Sequence, residues 1–475
     1  FNVACIALYY FLKPILGDRL ALLSVLLYVV HPICTQGVAW ISGLGYPLSI
    51  FWMSLSGILI QRLYNAPDLV GAVFTTIAFC ILHFLAVHAQ FCALMFWVIL
   101  LFLGYWPFAI ISIVISLGMG FQIVRGTINL RKDEFKKQQM GGSTFLKPRK
   151  LVVALKTLSY YVFHSIIPRR IGLYHEWGFH YDKGVEREDL RFLVGLGLLA
   201  SMVVTYFLVP IIAIKFSILW FLALSIVLWN WITIQQFVTE RYIMIGTIGT
   251  CIVLSYFLQN FMYAYVVVFS LYIMRTWVHL PTYDNLIKFY QSNIWNFEKS
   301  EVAYGNLGVA SMEVGLIGMA TDCWNVAHKI NPEYDVPLYN LFSQERTKCM
   351  MAIQHGQYAD GLQILKNSYP ILEKTLQCKI CHFPENWRKE ADEMKDMITN
   401  PVKFLMAEDT RLNKLLEDLA KMRSEAKDAA RLAEVDKSVN DTNAQLAGLR
   451  KFMSVSVQMV HKDGQSALLG SLLKT

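Results

Sequence analysis

No methionine opens this chain; it starts at Phe1, inside an apolar run. Such a start reads as a fragment or a trimmed sequence and leaves no signal peptide to judge. Charge is scarce. Lys, Arg, Asp and Glu make up 16% of 475 residues, against about 25% in soluble domains. That shortage, with 55% hydrophobic residues and a mean hydropathy of +0.41, excludes an ordinary soluble chain. A strong charge of one sign is missing as well. The net charge of +8 is spread out, which favours anionic lipid headgroups as partners and argues against nucleic acid.

What is present is a run of apolar segments, followed beyond residue 380 by sequence rich in Lys, Arg, Glu and Asp. A helix crossing a hydrocarbon core about 30 Å thick needs roughly 17–25 residues. Candidate crossings lie near 1–16, 20–31, 47–64, 69–88, 90–104, 106–124, 190–210, 216–234, 242–257 and 259–275. The run 151–168 is interrupted by Lys156 and rich in aromatics, so it suits either a crossing or a surface-lying helix. Between 125 and 150 a polar loop carries Arg125, Arg131, Lys132, Lys136, Lys137, Lys147, Arg149 and Lys150. The positive-inside trend puts this loop in the cytoplasm, whereas counting crossings puts it outside.

After the apolar region, Tyr304, Leu307, Gly308, Ala320, Trp324, Ala327 and Pro332 fall in one register of the tetratricopeptide repeat, about 34 residues long. Residues 335–370 give a looser second repeat, with Gly356, Tyr358, Leu362 and Leu365 at packing positions. Two repeats bury little surface, since stacks need about three or more. From about 400 to 455 the composition is helical, and Leu412, Leu415, Leu416, Leu419 and Met422 trace an apolar stripe. The expectation is an all-α chain: a polytopic transmembrane helix bundle over 1–280, tetratricopeptide-type repeats over 281–372 and a polar helical tail over 373–475.

Three polar patches interrupt the apolar part. His31 to Pro47 is too polar for a simple connector, and Gln36, Trp40, Ser42, Gly43 and Gly45 suit a re-entrant turn. Irregular backbone at membrane depth must be buried in protein or line a wet cavity. A purely structural hairpin meets that requirement equally well. The second patch runs from Pro168-Arg169-Arg170 to Tyr174-His175-Glu176-Trp177-Gly178. Paired guanidiniums suit a phosphate or pyrophosphate, and His175 and Glu176 suit acid–base work. The bland alternative is an interfacial belt of Arg, Tyr and Trp. The third is Glu240-Arg241-Tyr242, where an acid and a base at a helix end also suit a simple pair.

In this order, and followed by repeats, the patches resemble the transmembrane-and-tetratricopeptide-repeat glycosyltransferases of the GT-C class. His31, Pro32, Thr35, Gln36, Val38, Ala39 and Trp40 match that family's HP-x-x-T-x-x-V-A motif. Tyr160-Tyr161 through Trp177 match a later patch, and Glu240, Arg241, Tyr242 and Gly249 match an E-R-Y stretch whose second aromatic is Met244 here. The resemblance covers most of 1–370. Leu44 stands where the family has the Arg of a Gly-Arg turn, and the family's catalytic carboxylate is expected upstream of Phe1.

The resemblance implies transfer of a sugar from a polyprenyl-phosphate carrier to an extracytoplasmic acceptor, expected to be a protein. The membrane would be a bacterial inner membrane or the endoplasmic reticulum, with the repeats on the extracytoplasmic side. It points to Arg169, Arg170 and Arg241 at the donor phosphate, to His175 and Glu176 as acid–base groups, and to His31, Gln36, Glu240 and Tyr242 lining the site. Tyr304, Asn306, Tyr339 and Asn340 are the expected partner groove of the repeats. No cofactor is required beyond the lipid-linked donor, and a divalent metal stays open. Cys378-Lys379-Ile380-Cys381-His382 has the spacing of c-type haem attachment. A Cys378–Cys381 disulfide, half of a zinc site or no special role are the other readings. The rival to the enzyme is a non-catalytic membrane scaffold whose repeats dock a partner.

Overall fold

A computed structural model of the chain describes residues 1–64, 68–130, 148–172, 191–229, 239–355, 357–378, 389, 392–393, 395–396, 401–425 and 429–463. Among these residues the architecture is all-helical, with no β-sheet. The chain divides into two compact units, Phe1–Ala310 and Ser311–Thr475.

The first unit begins with α1 (Asn2–Leu16) and α2 (Asp18–Val29). Gly17 separates them at φ 83°, a left-handed conformation that glycine adopts without a Cβ clash. Next come α3 (Cys34–Ala39), α4 (Gly45–Leu63), α5 (Leu69–Ala89), α6 (Phe96–Phe102) and α7 (Trp106–Leu130). Then follow α8 (Pro148–Ile166), α9 (Arg191–Leu208), α10 (Ile212–Ile226), α11 (Glu240–Ile243), α12 (Thr247–Leu258), α13 (Met262–His279) and α14 (Leu286–Asn296). Helix α15 (Glu301–Glu313) crosses the unit boundary.

The core of this unit is aromatic and tight. Phe11 of α1 lies 6.1 Å from Trp220 of α10 and 6.3 Å from Phe96 of α6, centroid to centroid. A Cβ on Gly57 of α4 would stand 2.3 Å from the Phe11 ring, so this glycine is what admits the aromatic. Helix α2 packs on α12, and α12 on α10. Close approach again needs glycine there: a Cβ on Gly249 would lie 2.5 Å from the Ser217 carbonyl. Helix α8 buries Leu155, Leu158, Tyr161 and Val162 and runs along α9.

The outside of the unit carries many apolar side chains. Val73, Phe74, Ile77, Ile81 and Phe84 are exposed on α5, and Val266, Val267, Leu271, Met274 and Trp277 on α13. Soluble monomers rarely expose continuous apolar surface on this scale. Three described helices are long and apolar enough to cross a membrane: Ile41–Leu63, Leu69–Ala89 and Arg191–Leu208. The last buries only 6% of its apolar window. Several of the other apolar runs form shorter helices than the sequence leads one to expect. The run near 20–31 yields 12 residues in α2, and that near 90–104 divides into a 3-10 turn and 7 residues of α6. The 15 residues of α1 rise about 22 Å, short of a core about 30 Å thick. Left-handed Gly17 and Gly104 stand where the runs themselves end, and Pro32 disfavours helical backbone at His31.

The second unit holds α16 (Ile317–Ile330), α17 (Val336–Gln354), α18 (Tyr358–Gln377), α19 (Pro401–Glu425) and α20 (Ala429–Asp463). Helices α17 and α18 pair closely, as do α19 and α20. Phe342, Cys349, Ile353, Tyr358, Leu365 and Leu372 form one core with Leu412, Leu446 and Leu449 of the tail helices. The Tyr358 hydroxyl donates to the Gln445 carbonyl at 3.2 Å. The tail therefore covers the α17–α18 pair. Within the apolar stripe of α19, Leu412 and Leu419 are buried, while Leu415 and Met422 stay exposed.

Candidate functional site

The turn after α2 is shaped by His31 and Pro32. His31 is fully buried; its Nδ1 accepts from the Ile33 amide at 3.3 Å and its Nε2 faces the Ser165 carbonyl at 3.0 Å. Those two partners require a neutral imidazole with the proton on Nε2. His31 thus fastens the turn to the end of α8, and its ring lies 4.5 Å from that of Tyr272. The chain then folds back tightly, since a Cβ on Gly43 would stand 2.8 Å from Gly37 Cα. On Gly37 it would meet the Met244 sulfur at 2.3 Å, so Met244 packs against this turn.

This turn delivers Gln36 to the start of α11. Gln36 Oε1 accepts from Thr239 Oγ1 at 2.9 Å and from the Arg241 amide at 3.2 Å. Both Gln36 and Thr239 are buried. The Gln36 Nε2 donor has no hydrogen-bond partner among the described residues, although buried polar groups are nearly always paired. Glu240, next in the chain, is fully buried, and its Oε1 accepts from the Tyr160 hydroxyl of α8 at 3.0 Å. The Tyr160 ring stacks on His164 with centroids 3.7 Å apart, and His164 Nε2 lies 3.0 Å from the Arg170 carbonyl. The Arg241 guanidinium sits over the Tyr242 ring, 5.5 Å from its centroid.

Beside this junction opens a cleft of about 420 Å3, lined by Arg169, Arg170, Arg275, Val278, His279, Thr282, Ser292, Trp295 and Asn296. Arg275 Nη2 donates to the Arg169 carbonyl at 2.7 Å. Asn296 Nδ2 donates to the Ile171 carbonyl at 3.0 Å, tying α14 to the same turn. Among the described residues no carboxylate pairs with the guanidiniums of Arg169, Arg170 or Arg275. His279 lies beyond the apolar run 259–275. Burial and the nearby Arg275 cation push its imidazole down to about 4, against the pull of Glu240. It is therefore uncharged at neutral pH, and the positive charge of the cleft belongs to arginine.

The structure thus brings Gln36, Glu240, Arg241 and Tyr242 together, and sets Arg169 and Arg170 in the adjoining cleft. Arg241 does not line that cleft. His175 and Glu176 lie outside the described residues, as do Cys381 and His382. Tyr304 and Asn306 fall in the first unit, and Tyr339 and Asn340 in the second. Among the described residues no three His, Cys, Asp or Glu side chains come together as a metal site. Sequence reasoning missed Arg275, His279, Ser292 and Asn296. Arg275 and His279 carried a signal: they are four apart at the end of an apolar helix, on one face. Ser292 and Asn296 carried none. Comparison with known protein families, curated proteins and solved structures finds no match.

Proposed function

We propose that this chain is a multi-pass membrane transferase that moves a sugar from a polyprenyl-phosphate carrier to a hydroxyl of a protein acceptor, as its motifs imply. The observation that supports this reading is the junction at Glu240. Three motifs, two of them 203 residues apart, contribute Gln36, Tyr160, Thr239 and Glu240 to one buried polar cluster. In such a transfer the acceptor oxygen bonds to the anomeric carbon. The bond from that carbon to the phosphate oxygen breaks, and the phosphate leaves with the electron pair. The hydroxyl proton needs a base. The resemblance puts its catalytic carboxylate upstream of Phe1 and acid–base groups at His175 and Glu176. Among the described residues Glu240, buried and oriented by Tyr160, is the carboxylate of this junction that would take the proton. Arg169 and Arg170 suit the charge of the leaving phosphate. The helices of the second unit would hold the acceptor on the extracytoplasmic face.

The test is full-length protein in sealed vesicles, supplied with a panel of radiolabelled polyprenyl-phosphate sugars. The reading expects label to pass to protein from at least one donor, on the face that exposes residues 311–377 to protease. No transfer from any donor would remove it. Leu44, 47% exposed where the family carries arginine, favours the scaffold alternative, and that negative result would leave the scaffold standing.

A further inference from the structure

We propose that the cleft between the Arg169–Arg170 turn, the end of α13 and α14 is a phosphate site completed by Arg275, and that its phosphate is carried on a lipid. Three guanidiniums share one cleft, and none pairs with a carboxylate among the described residues. Like charges held together repel unless an anion sits between them. Arg275 is not spread freely over the surface: it is half-buried, held by its Nη2 bond to the Arg169 carbonyl, while its Nε has no partner among the described residues. The planar guanidinium fork then matches the oxygens of a phosphate. The Ser292 hydroxyl adds a neutral donor to the same cleft, while Asn296 spends its amide donors on the Ile171 and Ser292 carbonyls.

The surroundings favour a lipid. Arg275 sits near the end of α13, whose outward residues Val267, Leu271 and Met274 are all exposed. Trp277 is 77% exposed on the same helix, and Trp295, in the cleft wall, is 86% exposed. Exposed tryptophans beside arginine, at the end of an apolar helix, mark headgroup depth in membrane proteins. A phosphate held there has its apolar chain running back along α13. The inference rests on the membrane reading of this unit and deepens the transferase reading by naming Arg275, with no step of the transfer entering its test.

The experiment measures binding of three probes to detergent-solubilised full-length protein: farnesyl phosphate, farnesol and inorganic phosphate. Farnesyl phosphate should bind, with each of the others about tenfold weaker or worse, a gap of roughly 1.4 kcal/mol. Arg275→Gln and Arg169→Gln should each weaken farnesyl phosphate by about tenfold and leave farnesol unchanged. Arg275→Gln also removes the bond to the Arg169 carbonyl. Among the described residues the exposed Arg169 side chain holds no such contact, so Arg169→Gln tests the charge with the bond to its carbonyl left in place. Wild-type affinity for farnesyl phosphate in both variants would overturn the site. Equal affinity for inorganic phosphate and farnesyl phosphate would overturn the lipid. Intact phosphate-dependent binding without sugar transfer would support the site and count against the transferase reading alone.

Discussion

Thr239 Oγ1 donates to Gln36 Oε1 at 2.9 Å, joining two buried side chains 203 residues apart in sequence. The same oxygen accepts from the Arg241 amide, so one side chain locks the HP turn to the start of α11. Gln36→Leu keeps the approximate volume and leaves the hydroxyl and the amide without their acceptor. Each unsatisfied buried group costs about 1–3 kcal/mol. The midpoint of thermal unfolding in detergent should fall, and an unchanged midpoint would show that the bond contributes nothing.

Tyr160→Phe removes the donor to Glu240 and leaves the ring free to stack on His164. Loss of a hydrogen bond to a carboxylate costs on the order of 1.5–3 kcal/mol. The reading expects slower transfer with little change in farnesyl phosphate binding, because the hydroxyl serves the carboxylate and not the cleft. A variant that transfers at the wild-type rate would release Glu240 from any need for Tyr160.

Gly249→Ala tests the approach of α10 and α12. The new methyl would stand 2.5 Å from the Ser217 carbonyl and 3.2 Å from the Phe221 nitrogen. These are backbone atoms, so the helices must separate, at roughly 1–3 kcal/mol for an overpacked contact. Gly197→Ala is the control, since a Cβ there meets nothing within 4 Å. Equal unfolding midpoints for the two variants would contradict the packing.

Cys349 gives a pH dependence in the second unit. Burial pushes its thiol up to about 11, against a small opposing effect of Arg346. The thiolate is the reactive form, so alkylation by iodoacetamide at pH 8 should be slow in the folded protein and fast in urea. Linkage has a matching sign. The unfolded chain loses this proton near pH 8.5, so stability from the neutral thiol falls as pH rises from there towards about 11. Mass spectrometry of the peptide reads the labelling, and folded-state labelling at the urea rate would contradict the burial.

The helical class was legible because apolar runs and helix-spaced stripes dominate the chain. The polar patches were legible in the sequence too, and the fold sets Gln36 against Thr239 and the Arg241 amide. Helix length was not. The run near 90–104, which reads as one crossing, is divided into a 3-10 turn and a short helix, a break that no hydropathy count reveals. Arg275 was passed over because a lone arginine at the end of an apolar run also suits simple snorkelling. Only the fold brings it to Arg169. Asn296 enters the cleft from a polar helix with no pattern to single it out. The tail stripe was visible, but Leu415 and Leu419 look alike in sequence. One is buried and the other exposed, a difference set by the packing around α19 and not by the stripe itself.

In the proposed transfer the carboxylate of Glu240 serves the reaction while the arginine cleft serves binding. The most direct measurement is Glu240→Gln in the full-length protein, reading sugar transfer in vesicles and farnesyl phosphate affinity in detergent side by side. The substitution keeps size and an oxygen able to accept from Tyr160, and removes the base. The account predicts that transfer falls by about a hundredfold or more, as expected for a general base, with affinity unchanged. Transfer at the wild-type rate would contradict it.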